Sequence, residues 1–123
     1  MAIMEELAGD AHISFEGDSK VLGLVSLPGA SLTETSVLKR STAWPMQDFV
    51  VVPLDSSTIH AIFSKLGGTI PRSVLHIQIE KNGQREFGAY DSFHPDCIFL
   101  GGALTEKFVY LLVSAGLLTP ILR

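Results

Sequence analysis

The chain has 123 residues, of which 46% are hydrophobic and 18% are charged, and its formal net charge is −4 at pH 7. This size predicts one globular domain over residues 12–123, large enough to bury a core without staples and preceded by a flexible tail over 1–11. The acidic balance, with no basic run longer than Lys39-Arg40, excludes the charge pattern of a nucleic-acid-binding protein.

The cysteine count and the apolar segments indicate where the protein works. One cysteine cannot form an internal disulfide, so the composition is typical of the reducing cytoplasm. The longest apolar stretch, 108–122, is interrupted by Gly116 and Pro120 and is shorter than the roughly 20 residues that cross a bilayer. We therefore expect a cytoplasmic protein that does not insert into membranes.

The first third of the chain predicts two strands and a short helix. Residues 12–16 alternate polar and apolar side chains, which predicts a strand. Residues 21–27 predict a second strand, although their apolar spacing also suits a buried helical turn. Ser31 with Glu34 three residues later matches a capping box, which predicts a short helix that ends at Lys39-Arg40.

A buried strand and an amphipathic helix follow. Residues 49–52 are apolar at every position, which predicts an interior strand covered on both faces. Asp55 is placed to begin a helix and Gly67 to end it. The apolar positions of this helix recur on one side: Ile59, Ile62, Phe63 and Leu66. The strands on either side have the spacing of a crossover, which predicts that they run parallel in a mixed sheet.

The middle of the chain predicts a β-hairpin whose two turn rules conflict. A two-residue turn at Asn82-Gly83 is the favoured short signal, but it would pair Ile79 with Glu86 and place a carboxylate on the apolar face. We instead predict a three-residue loop that pairs Ile77 with Phe87, because burial specifies strand register strongly.

The end of the chain predicts a short strand, a second main helix and self-association. Residues 97–100 predict the strand, and the helix begins at Thr105 and ends at Gly116. This helix is apolar nearly all round and must be covered on more than one side. Because apolar residues also follow it at 117–122, we expect an exposed apolar patch and a homo-oligomer, with a twofold dimer favoured.

These elements predict an α+β fold with a mixed or mainly antiparallel sheet of about four to six strands, two main helices and one short helix. The predicted core residues lie on the apolar faces of these elements: Ile13, Phe15, Val50, Val52, Ile59, Ile62, Phe63, Ile77, Ile79, Phe87, Phe108, Leu111 and Leu112.

Reactive residue types are concentrated just after the hairpin. Residues 90–97 include Tyr90, Asp91, His94 and Cys97, which can support acid/base or nucleophilic catalysis if their side chains converge. Asp91 and His94 rank first, with Asp91 orienting the imidazole of His94. Cys97 ranks lower, because a free cysteine beside an apolar strand is usually a packing residue.

The predicted ligand site combines this loop with the polar face of the hairpin. It comprises His76, Glu86, Tyr90, Asp91 and His94, because strands hold polar groups at fixed spacing while the loop beyond them closes over a ligand. A structural zinc site needs paired ligand spacings at both ends. Only the spacing of His94 and Cys97 fits, so we predict no metal site, and the sequence identifies no cofactor.

Two hypotheses for function follow. The first is a small soluble binding or interaction domain that associates with itself and with a protein or small ligand. The second is a small hydrolase or isomerase-like enzyme that uses His94 and Asp91, with Cys97 or Tyr90. We favour the first, because no complete catalytic constellation can be written from the spacing.

Overall fold

The chain folds around an antiparallel β-sheet. The computed structural model describes residues 2–42, 46–67, 74–90 and 98–100. Their elements, in chain order, are helix α1 (Ala2–Leu7), strand β1 (Ala11–Gly17), a 3-10 helix (Ser19–Ser26), β2 (Asp48–Leu54), helix α2 (Thr58–Lys65), β3 (Val74–Lys81), β4 (Gln84–Ala89) and β5 (Ile98–Leu100). The strand order is β2-β1-β3-β4-β5, and all these neighbours pair antiparallel. The predicted α+β class with a mainly antiparallel sheet is confirmed for these residues.

Strands β2 and β3 run in the same direction, as the crossover predicts, but they are not neighbours. β1 lies between them and pairs antiparallel with both. The described strands therefore contain no parallel pair, and the mixed sheet does not form among them. The prediction of an interior strand is also wrong for the described sheet, because β2 lies at one edge of its five strands.

Both faces of β2 are nevertheless covered, which explains why it is apolar at every position. Val50 and Val52 belong to the main core of the protein. Phe49 and Val51 pack with Leu38 in a second, smaller cluster on the opposite face.

The main core covers one face of the sheet. Across it, Phe15 lies between Val50 and Ile77 in adjacent strands, and all three side chains are fully buried. The helices and the residues that directly follow them contribute further buried side chains to this core: Met4, Leu7, Val21, Leu24, Leu27, Ile62 and Leu66. The predicted core residues of the sheet and Ile62 are buried as expected, whereas Ile59 and Phe63 are only partly buried. Phe108, Leu111 and Leu112 lie outside the described residues.

The N-terminal segment differs from the tail that the sequence predicts. It forms α1, whose Met4 and Leu7 are buried in the main core. Its C-terminal carbonyl groups are also satisfied, since the Lys81 ammonium donates to the carbonyl oxygens of residues 7, 8 and 9 at 3.1, 3.0 and 2.7 Å. Apolar burial and a cation at the helix C-terminus both stabilise this arrangement.

Residues 21–27 form the helical alternative and not the strand. Val21, Leu24 and Leu27 are buried, and a spacing of three residues is the period of a 3-10 helix. Leu22 and Val25 lie between them and are exposed.

The short helix predicted after Ser31 is absent from the described structure of residues 27–42. Ser31 instead exchanges two backbone hydrogen bonds with Val51, at 2.8 and 2.7 Å, on the free edge of β2. The Glu34 carboxylate accepts from the backbone N–H of Arg40. Pairing with the sheet edge thus replaces the predicted capping box.

The hairpin between β3 and β4 satisfies both conflicting turn rules. Asn82 and Gly83 have positive φ angles of +54° and +81°, as a two-residue type I′ turn requires. One extra residue in β4, Glu86, then shifts the pairing, so that Ile79 lies opposite Phe87. The predicted three-residue loop is wrong, because the bulge, and not a longer turn, keeps the carboxylate off the apolar position.

The predicted pairing of Ile77 with Phe87 is therefore wrong by two residues, since Ile77 lies opposite Ala89. The prediction that both residues lie on the same face is correct, because side chains two apart on a strand share a face.

Helix α2 begins slightly later than predicted. It starts at Thr58, and the Asp55 carboxylate accepts from the backbone N–H groups of Ser57 and Thr58. Gly67 follows the last turn with φ +87°, as expected of a C-terminal glycine. Among the described residues, no helix has the length and apolar character to span a membrane.

Candidate functional site

The face of the sheet opposite the main core carries buried polar side chains. Glu16 on β1 and His76 and Gln78 on β3 are exposed by only 1%, 6% and 3%. The segment 38–42, here called the strap, is hydrogen-bonded to all three. Burying a polar group is costly unless it is hydrogen-bonded. The hydrogen bonds to the strap therefore stabilise these side chains and determine which of their atoms can bind another group.

The Glu16 carboxylate binds the backbone of the strap. Its two oxygens accept hydrogen bonds from the N–H groups of Ser41 and Thr42, at 2.7 and 3.1 Å. Each carboxylate oxygen therefore has one N–H donor, and hydrogen bonds to a carboxylate are stronger than those between neutral groups.

His76 binds the side chain of the strap. Its Nε2 atom is hydrogen-bonded to the Thr42 hydroxyl at 2.6 Å. The ring also contacts Tyr90, with ring centroids 5.7 Å apart and planes tilted by 52°. The Tyr90 hydroxyl in turn accepts a bond from Arg85 at 3.1 Å. The imidazole is therefore held between a hydroxyl group and an aromatic ring.

The remaining contacts fix the strap at its start. The Gln78 amide donates to the carbonyl oxygen of Lys39 at 2.6 Å. Leu38 is fully buried against Phe49 and Val51. The Arg40 guanidinium lies 5.2 Å from the centroid of the Phe49 ring, close enough for a cation–π interaction.

The structure brings together two of the predicted ligand-site residues, His76 and Tyr90. Glu86 is buried and is the extra residue of the bulge in β4. Asp91, His94 and Cys97 lie outside the described residues, so their predicted convergence stays a prediction. In the described part of the chain, no three His, Cys, Asp or Glu side chains are grouped so as to hold a metal ion.

Glu16, Gln78 and Thr42 are the site residues that sequence reasoning missed. Glu16 alternates with apolar neighbours and so resembles a solvent-facing strand residue. Its burial follows from the position of β1 between β2 and β3, with both faces covered, and no local pattern reports that position. Thr42 carries no local signal, since its role depends on a contact 34 residues away with His76.

A groove lies between helices α1 and α2, away from the strap. It is an open groove of about 370 Å³, near the lower limit of small-molecule sites. Its lining combines partly buried apolar side chains with exposed polar ones: Glu5, Ala8, Ser56, Ile59, His60 and Phe63.

Comparisons with protein-family models, with curated proteins and with solved structures found no match.

Proposed function

We propose that the protein is a noncatalytic binding or interaction module that associates with itself, with a twofold homodimer as the assembly. The observation that carries the proposal is the use of Glu16, His76 and Gln78. All three are buried and hydrogen-bonded to the strap. Because these groups hold a surface segment in place by hydrogen bonds, they are typical of a scaffold that presents a binding surface.

Exposed apolar side chains support an interaction role. Leu22 and Val25 are 41% and 44% exposed on the 3-10 helix, three residues apart and so on one side of it. Leu32 and Met46, on either side of the strap in the sequence, are 53% and 70% exposed. Ordering such groups against a partner removes apolar area from water, which favours association.

Self-association is tested by light scattering over a concentration series. We expect a dimer that dissociates on dilution, and we expect Leu118→Glu to weaken it, since residues 117–122 motivate the dimer and lie outside the described structure. Ser36→Glu is the matched control, because it adds the same charge at an exposed loop position. A monomer at every concentration would refute the self-associating module.

The predicted ligand site is tested separately. A thermal-shift screen of metals, metabolites and nucleotides identifies stabilising ligands, because a ligand that binds only the folded state raises its stability. A ligand that binds near residues 90–97 loses its effect in His94→Ala. Equal stabilisation of both proteins would place the ligand elsewhere.

A specific observation favours the enzyme hypothesis as a second candidate. The Thr42 hydroxyl lies 2.6 Å from His76 Nε2, within the range of a nucleophile and its general base. Under this second hypothesis, a hydrolase or isomerase-like enzyme uses Thr42 and His76 together with Asp91, His94, Cys97 or Tyr90. Hydrolysis of activated esters that is lost in both Thr42→Val and His76→Gln, with folding retained, would support it. Turnover that persists in both variants would rule out this pair.

A further inference from the structure

We propose that the sheet face beneath the strap is a binding site for a segment of a partner protein that adopts the bent conformation of the strap, and that the strap occupies it as an internal competitor. This inference rests on the proposed function as a binding module. Its basis is the kind of contact that Glu16, His76 and Gln78 make with the strap, because a separate peptide can supply the same groups.

The strap offers its receptor mainly backbone groups. The Gln78 amide donates a hydrogen bond to the carbonyl oxygen of residue 39. The Glu16 carboxylate accepts hydrogen bonds from the two consecutive N–H groups of residues 41 and 42. Every peptide carries these backbone groups, and one that bends as the strap does at Ser41 can turn two consecutive N–H groups toward the same carboxylate. These contacts therefore set the direction and position of a bound segment without restricting its sequence.

Two side chains of the strap add sequence selectivity. Leu38 fills the small apolar cluster with Phe49 and Val51, and the Thr42 hydroxyl is hydrogen-bonded to His76. A partner segment is thus expected to carry a large apolar residue and, four positions later, a threonine or serine. A segment without the hydroxyl would leave the buried imidazole nitrogen without its partner, which selects against it.

The composition of the contact favours release of the strap. Among the described residues, the apolar part is a cluster of three buried side chains, whereas the main core on the opposite face contains 18. The strap is hydrogen-bonded to Glu16, His76 and Gln78, which are all polar and buried. Water can hydrate such a face when the strap leaves, so opening requires less free energy than unfolding the protein.

The segment before the strap is internally organised, which allows it to move as a unit. Thr35 accepts backbone bonds from Val37 and Leu38 through its hydroxyl, and the Glu34 carboxylate accepts one from Arg40. These bonds do not involve the sheet and remain possible when the strap is displaced.

The test uses a peptide of residues 37–42 with blocked ends and a fluorescent label, titrated into the full chain. The wild-type site is filled by the strap, so the peptide must compete with a tethered rival of high effective concentration. In the double variant Leu38→Ala, Thr42→Val the strap loses both selective side chains while the sheet face is unchanged. We expect the peptide to bind this variant at least about 10-fold more tightly than the wild type, equivalent to one lost hydrogen bond.

A second peptide, with valine in place of the threonine, is the matched control. We expect it to bind the double variant about 10-fold more weakly than the parent peptide, for the same reason. Circular dichroism reports whether the variant is folded; if it is not, the single variant Thr42→Val takes its place and gives the same comparison.

Equal affinity for wild type and variant, or equal affinity of both peptides, would overturn the proposal. Light scattering of the same samples tests self-association separately from binding of the peptide. A variant that still self-associates but does not bind the peptide refutes the peptide site alone, whereas a wild-type protein that never self-associates counts against the self-associating module. Loss of self-association in the double variant would assign the site to the strap of a second copy and would also overturn the proposal.

Discussion

Glu16 and His76 lie directly opposite each other on β1 and β3, and both bind the same residue, Thr42. The Glu16 carboxylate accepts a hydrogen bond from the backbone N–H group of Thr42, and the imidazole of His76 is hydrogen-bonded to the Thr42 hydroxyl group. One residue of the strap is therefore held by two adjacent strands. This arrangement positions the strap relative to the sheet, so a change at either strand residue is expected to affect the strap before it affects the main core.

The first prediction concerns Glu16→Gln. The amide has one acceptor oxygen where the carboxylate has two, so one of the two N–H groups of the strap then faces an NH₂ group. We expect unfolding to become easier by about 1–3 kcal/mol, the usual effect of leaving a buried polar group unpaired. Denaturant unfolding measures this loss.

The same variant is expected to open the strap locally. Trypsin cleavage after Arg40, in the middle of the strap, should become faster in Glu16→Gln, because proteolysis requires local opening of the chain. Glu6→Gln is the matched control, since Glu6 is an exposed residue of α1 that makes no hydrogen bond to the strap in the described structure. Equal cleavage rates in the two variants would contradict a holding role for Glu16.

The hairpin shows how far local rules predict this fold and where they stop. Alternation identified both strands and the face shared by Ile77 and Phe87, because burial of one face fixes parity. It did not identify the register, since Asn82-Gly83 and the apolar pattern can both be satisfied only by an extra residue in β4. A bulge has no sequence signature of its own beyond such a conflict.

The strap shows the corresponding limit for the candidate site. Ser31 and Glu34 match a helix-capping pattern, but Ser31 pairs with Val51 on the edge of β2 instead. The competing partner is 20 residues away in the sequence, so no local propensity reports it. His76 and Tyr90 were predictable as neighbours because they share a hairpin, whereas the contacts of Glu16 and Thr42 depend on the three-dimensional path of residues 38–42.

A second prediction concerns Lys81→Met, which keeps the length of the side chain and removes its ammonium group. The carbonyl oxygens of residues 7–9 then lose a donor that all three share. We expect a loss of about 2 kcal/mol in unfolding free energy, because bonds to a charged donor are stronger than neutral ones. Hydrogen exchange should show the largest loss of protection in α1.

Lys65→Met is the control for Lys81, because Lys65 is an exposed lysine in the last turn of α2. Its removal affects only the helix dipole and should reduce stability by less than about 1 kcal/mol. Equal losses in the two variants would show that Lys81 does not anchor α1.

The third prediction compares two glycines. Gly83 has φ +81° in the hairpin turn, and an added methyl group would have no atom within 4 Å. Gly83→Ala should therefore reduce stability by about 1 kcal/mol through backbone strain alone. Gly23 also has open space around it but lies in the 3-10 helix without a positive φ, so Gly23→Ala should be neutral or stabilising by up to about 1 kcal/mol. Thermal unfolding measures both, and a stabilised Gly83→Ala would rule out the type I′ turn.

The last prediction concerns the pH dependence of the start of α2. The hydroxyl group of Ser57 and the backbone N–H groups of Ser57 and Thr58 donate to the Asp55 carboxylate and hold its pKa below the ordinary value of 3.8. A carboxyl group whose pKa is lower in the folded state stabilises the protein above its ordinary pKa, and this contribution is lost as the pH falls through the folded value. The stabilisation from Asp55 should therefore be complete at neutral pH and disappear only below pH 3.8.

Asp55→Asn isolates this effect, because the amide keeps the shape of the side chain and carries no charge. We expect the variant to melt at a lower temperature than the wild type at about pH 6, and this difference to become smaller at about pH 2, as the Asp55 carboxylate takes up a proton. The change is small, since Asp55 is solvent-accessible and water screens its charge. Asp10→Asn is the control, because Asp10 is an exposed aspartate whose side chain makes no hydrogen bond within the described structure. A gap between wild type and Asp55→Asn that is the same at both pH values would show that the charge of Asp55 does not stabilise α2.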